Sequence, residues 1–175
     1  MLVDTGRQVI VPNARFNCNG RITNVAISMF AWIGGNLPLF QVWHPTSLNS
    51  NTYNKIGEVQ LPTGDLISSS EGENYYHVSL SLNNNSQIEF QSGDVIGYHQ
   101  PSDPQRIIWS ILTNGYASYS NTTTSPLTSI DTNNIDQVWA NHQPLIAVMF
   151  GKNNVEKFNK LEFLVGITNQ LGYSE

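Results

Sequence analysis

The chain has 175 residues, with 8 Lys and Arg against 13 Asp and Glu and a formal net charge of -5. Only 12% of its residues are charged, about half the ~25% usual for soluble domains, whereas Asn alone occurs 21 times. The basic residues form no run that would follow a phosphate backbone, which excludes nucleic acid as a partner. No apolar run approaches the ~20 residues that cross a bilayer, which excludes direct membrane insertion by a helix.

The opening MLVDTGRQVIVPN lacks the basic-then-apolar pattern of a signal peptide, so secretion would need a signal outside this chain. Cys18, in FNCNG, is the only cysteine; without an internal partner it is read as an unpaired thiol, buried as a small hydrophobe. Asn19-Gly20 follows, between ARFNC and RITNV. Asn-Gly suits a two-residue turn with positive φ, and the spacing predicts an antiparallel hairpin there.

NVAISMFAWI places Val25, Ile27, Met29, Ala31 and Ile33 on one face of a half-buried strand. In LPLFQVW, Phe40 and Val42 read as core, and Trp43 falls out of phase with them, either presenting its ring to solvent or covering the edge of the core. Turn-forming clusters at 45–51, 62–65 and 68–74 then bring Asp65, Glu71 and Glu73 into loops. YYHVSLSL alternates Tyr76, Val78, Leu80 and Leu82 against a wet side of His77, Ser79 and Ser81, and ends at Asn83-Asn84-Asn85.

FQSGDVIGYHQP combines a Ser-Gly-Asp turn with a strand. Gly93 is free to take positive φ, Asp94 braces the backbone, Ile96 and Tyr98 share a face, and His99 lies on the other. RIIWSIL is a further strand, and Asn114-Gly115 predicts a second hairpin flanked by Tyr116 and Tyr119. The low-hydrophobicity stretch 118–135 reads as a long exposed loop. PLIAVMF is apolar on both faces, as in a strand at the middle of a sheet. Beyond it, Val155, Phe158, Leu161 and Val165 fall at helical spacing after an Asn153/Glu156 capping pattern. The expected fold is therefore all-β: an antiparallel β-sandwich or jelly roll of about eight to ten strands over residues 1–150, with residues 151–175 as a tail or short C-terminal helix.

Catalytic signatures are absent from the sequence: no phosphate-cradling glycine loop, HExxH, CxxC or GxSxG. The four histidines, at 44, 77, 99 and 142, have no metal-ligand spacing. Asp65, Glu71, Glu73, Asp94 and Asp103 sit in or near turns, where convergence at one end of a sandwich would hold calcium. The same acids favour turns for their backbone hydrogen bonds alone. Trp43, Tyr116 and Tyr119 are candidate ligand-binding rings, since exposed aromatics stack on sugar faces while neighbouring Asn and Asp hold the hydroxyls. Asn84 and Asn121 match the N-glycosylation acceptor pattern in predicted loops.

RFNCNGRI, FQVWHP followed by YNKIGEV, FQSGDVIGYHQP and PLIAVMF together resemble, in that order, an extracellular β-sandwich module of multidomain cell-surface and secreted proteins from early-branching animals. The resemblance covers residues 11–150 and is most specific in F-x-C-x-G-x-I and F-x-x-G-D-V-I-G-Y. It implies an ectodomain strung with adhesion or receptor modules, and a partner for Cys18 beyond the last strand, which this chain does not carry. The expected function is non-catalytic recognition or adhesion outside the cell, with a glycan or a cell-surface protein as partner. A polysaccharide hydrolase or lyase and a structural spacer are the alternatives.

Overall fold

The computed structural model describes residues 5–31, 35–61, 67–68, 75–83, 86–104, 106–108, 110–144 and 146–151. All regular structure among them is β. Thirteen strands run in chain order: β1 Arg7–Arg15, β2 Gly20–Ala31, β3 Leu39–Pro45, β4 Thr52–Gln60, β5 Ile67–Ser68, β6 Tyr75–Ser81, β7 Ile88–Phe90, β8 Val95–Gln100, β9 Arg106–Ile108, β10 Ser110–Thr122, β11 Ser129–Asp131, β12 Gln137–Pro144 and β13 Ile146–Gly151. Seven form one sheet in the order β11-β4-β3-β8-β1-β10-β12, and six form a second with the path β13-β2-β6-β5. The ladders between these strands are antiparallel.

The long strand β2 organises the second sheet. Its residue Val25 pairs with Val148 of β13 on one side and Leu80 of β6 on the other, while Ile22 pairs with Phe150 and Ile88, and Met29 with Tyr76 and Ile108. β7 therefore continues the β6 edge and β9 the β13 edge. Between β6 and β7 the chain leaves the sheet at Asn83, whose side-chain and main-chain oxygens accept bonds from the Ser86 amide (3.1 and 3.0 Å).

Alternation then decides which face each side chain takes. Val9, Val11, Phe40, Val42, Ile96 and Tyr98 of the large sheet join Ile22, Val25, Ile27, Met29, Ile88, Ile146 and Val148 of the second in one buried cluster, the shared core that a β-sandwich requires. Two further contacts tie the sheets. Gln100 Oε1 accepts from the Ile108 amide at 3.1 Å, and a Cβ on Gly57 would meet Ile88 Cγ2 at 2.5 Å, so β4 and β7 approach closely only because residue 57 lacks a side chain.

Several expectations change. β1 and β2 lie in different sheets, so Asn19-Gly20 opens a crossover between sheets, not a hairpin; Asn19 Oδ1 instead holds the Ser92 amide at 2.8 Å. Asn114-Gly115 lies inside β10, which continues through a register shift against β12 between Leu112 and Ala117. The Asn-Gly pair thus marks an irregularity within one strand, the other setting in which glycine is tolerated in a sheet. β13 pairs with β2 alone among the described residues and ends the sheet path. The predicted C-terminal helix lies outside the described residues.

All six residues of β8 are buried. Gly97 lies at its centre, where a Cβ would come within 2.5 Å of the Val9 carbonyl oxygen and 2.7 Å of Trp43 Nε1. Backbone cannot yield as a flexible side chain does, so Gly97→Ala is expected to destabilise the fold by about 2 kcal/mol or more. Urea unfolding should show a lower midpoint with an unchanged slope.

Candidate functional site

The outer face of the seven-stranded sheet, away from the shared core, is also covered. Ile10, Trp43, Tyr53, Val95 and Ile130 form a second buried cluster, with Tyr119, Leu127 and Ile135 packed against it. The cover is the strap 123–136, which runs from the end of β10 through β11 to the start of β12. β11 pairs Ile130 with Tyr53 of β4. The Lys55 amide donates to the Thr128 carbonyl at 2.9 Å, and the Thr132 amide to the Asn51 carbonyl at 2.7 Å. At its far end, Asp136 Oδ2 accepts from the Thr122 amide at 2.5 Å and the Asp136 amide donates to Asn121 Oδ1 at 3.0 Å. The bonds from the Thr122 backbone and side chain, with the Arg7 charge, hold the Asp136 carboxyl below its ordinary value.

A chain of polar side chains crosses the sheet beneath the strap. Lys55 Nζ donates to Glu58 Oε2 at 2.7 Å, and Gln41 Nε2 donates to the same oxygen at 3.1 Å. Gln41 Oε1 accepts from Gln8 Nε2 at 2.6 Å, and Gln8 Oε1 accepts from the Leu127 amide at 3.3 Å. Gln8 and Gln41 are fully buried. Because an ionised carboxylate only accepts, Glu58 forces Gln41 to turn its amide nitrogen outward, and each later group then has one orientation left. Burial pushes the Glu58 carboxyl up, but the bonds from Lys55 and Gln41, with the Lys55 charge, bring it below its ordinary value. His99 lies on this face in register between Gln8 and Leu39. It is 4% exposed, and its Nε2 has no hydrogen-bond partner among the described residues. Burial draws its pKa down, against a hydrogen bond with the Thr123 backbone and the nearby Glu58 charge.

The predicted binding rings are distributed differently from expectation. Trp43 points away from Phe40 and Val42 as its phase requires, yet it is 0% exposed. The expected open face is closed by the strap, so Trp43 offers no ring to a sugar. Tyr119 is half-buried against the same cluster. Tyr116 lies on β10, with its side chain outside the described residues. The predicted loop 118–135 is in part strand: Ser118 and Ser120 are buried within β10, and Ile130 docks in the outer cluster. Asn121 is accordingly a strand residue, paired in register with Gln8, and its side chain caps the Asp136 amide; it is not in a loop. Asn84 lies outside the described residues.

Among the proposed calcium ligands, Asp65, Glu71 and Glu73 lie outside the described residues. Asp94 is fully buried and both its oxygens are engaged: Oδ2 accepts from the Gln91 amide at 2.7 Å, and Oδ1 lies 2.6 Å from His44 Nδ1. Its carbonyl accepts from the Phe16 amide at 2.9 Å, and the preceding Gly93 takes φ +97°. Asp94 therefore braces the turn, as Ser-Gly-Asp suggested, and orients His44. Cys18 is a free thiol, partly buried and packed against the shared core.

Among the described residues, a rim at the β3–β4 end is open to solvent. The β3–β4 hairpin carries Leu48, 92% exposed, on a tip held by Thr46 Oγ1···Ser50 Oγ at 2.7 Å, the Ser50 amide on the Ser47 carbonyl at 3.0 Å, and Asn49 at φ +70°. Asn51 Nδ2 reaches Asn133 Oδ1 at 3.1 Å, which joins the tip to the 131–134 turn of the strap. Comparison with protein-family models, curated proteins and solved structures found no match.

The His44–Asp94 pair yields an unequal prediction for its two members. Asp94→Asn leaves either an NH2 facing the Gln91 amide or a changed His44 tautomer, and should cost about 1–3 kcal/mol. His44→Gln, at the half-exposed end, should cost less than ~1 kcal/mol. Equal losses of stability in thermal or urea unfolding would show that the buried carboxylate is not the anchor.

Proposed function

We propose that the chain is a non-catalytic recognition module that engages a protein partner at the cell surface through the rim of residues 46–51 and 131–134. The observation that carries this reading is Leu48, an exposed apolar side chain on a braced tip that also carries Asn49 and Asn51, the latter bonded to Asn133. Such an anchor loses little conformational freedom on docking, and a rim of neutral amides supplies hydrogen bonds without charged groups to desolvate. The burial of Trp43 and the half-burial of Tyr119 withdraw much of two of the three rings on which the glycan version rested, which favours a protein partner. The amide-rich, weakly charged composition and the resemblance of the strand motifs to an ectodomain module support an extracellular setting.

A second reading, polysaccharide hydrolysis or elimination, is favoured by the oriented His44–Asp94 pair alone, because a histidine fixed through Nδ1 by a carboxylate presents Nε2 as a base. Binding of the immobilised chain to intact cells and to proteins released from their surface separates the two. Leu48→Glu should weaken that binding at least about tenfold without changing the unfolding midpoint, and His44→Gln should leave it unchanged. Unaltered binding by Leu48→Glu, or turnover of a polysaccharide that His44→Gln abolishes, would contradict the proposal.

A further inference from the structure

We infer that the 123–136 strap is an acid-released cover: charging of His99 beneath it frees the strap and uncovers the face formed by Trp43, Tyr53 and Tyr119. The strap contains the 131–134 turn of the rim, but the inference does not rest on a partner binding there. The carrying observation is geometric. His99 Nε2 is buried with no partner among the described residues, while the ring bonds to the Thr123 backbone at the root of the strap. Protonation would make both ring nitrogens donors and place a charge and a new N–H where no acceptor is arranged.

The surroundings of His99 offer that charge little compensation. From β4 it is faced by Glu58 and Lys55, which act in opposite directions. From β3 and β1 its register neighbours are Leu39 and Gln8, both uncharged. The strap contributes the Thr123 backbone, and the ion pair at the strap's end, Arg7 with Asp136 at 4.0 Å, is already matched. Two routes would hydrate the charged ring: separating β8 from β1 and β3 at the centre of the sheet, or lifting the strap. The second breaks a three-residue strand and a few peripheral hydrogen bonds, so it is the easier local opening.

The direction with pH follows. Since the folded pKa of His99 lies below its unfolded value of ~6.5, its contribution to strap docking is fully present above that value and is lost as pH falls from there through the folded pKa. Glu58 is depressed in the same sense but from an unfolded value near ~4.3. The loss from His99 therefore begins at a higher pH than the loss from the Lys55–Glu58–Gln41–Gln8 chain.

Amide hydrogen exchange of the full chain between pH 7.5 and 5, corrected for intrinsic rates and followed together with the His99 ring resonances, tests the inference. Protection of the Lys55 and Leu127 amides, bonded to the Thr128 carbonyl and to Gln8 Oε1, should fall at least about tenfold as the His99 ring titrates, with β8 unchanged; in His99→Gln the strap should stay protected across the range. Ring titration without loss of strap protection would overturn it, and so would the same loss in His99→Gln. If that variant does not fold, coincidence or separation of the two wild-type curves still decides.

Discussion

Val42 and Trp43 are adjacent on β3, point to opposite faces, and are both fully buried, and the rest of the architecture follows from having to cover one sheet twice. The inner face is covered by the second sheet, built around β2. The outer face has no second sheet, and the chain closes it with its own strap, using Leu127, Ile130 and Ile135 as apolar contacts. β8, at the centre of the large sheet, consequently has both faces buried, which is why Gly97 must lack a side chain and why His99 finds itself in the interior.

Closing a face with a strap brings polar backbone into a buried setting, and those groups need partners. The Lys55–Glu58–Gln41–Gln8–Leu127 chain supplies one, fixing the strap's position through groups whose orientations are set in sequence from a single carboxylate. Such a network favours one docking geometry over others as long as each member is satisfied. In this layer His99 Nε2 and Trp43 Nε1 are both buried without a hydrogen-bond partner among the described residues, and of the two side chains only the imidazole can take up a proton. The rim around Leu48 sits outside the network yet depends on it, because the 131–134 turn is part of the same strap.

Much of the fold was legible in the sequence. The alternation of Val25, Ile27 and Met29, the phase difference between Val42 and Trp43, and the Gly93-Asp94 turn into β8 all follow from a period of two and from turn chemistry. What misled was what lay opposite each pattern. An out-of-phase Trp reads as exposed when nothing adjacent in sequence covers it, and its cover comes from residues about 90 positions later, within a stretch whose low hydrophobicity suggested an open loop. Three apolar residues, Leu127, Ile130 and Ile135, dock that stretch, too sparse a signal to read in advance. The Asn-Gly pairs misled: Asn19 and Gly20 are not among the described residues with positive φ, and Asn19 acts instead through its side chain on the Ser92 amide. Gln8 and Gln41 left a fainter trace: each shares parity with an outer-face apolar residue, Ile10 and Trp43.

The central claim is that the outer face is closed by a docked strap and not by solvent. Native-state exchange at neutral pH compares the Lys55 and Leu127 amides, which bond to Thr128 and Gln8, with those of β8. Protection of both, at least about a hundredfold above open-loop rates, is the result predicted here. Exchange of Lys55 and Leu127 at open-loop rates while β8 remains protected would contradict it.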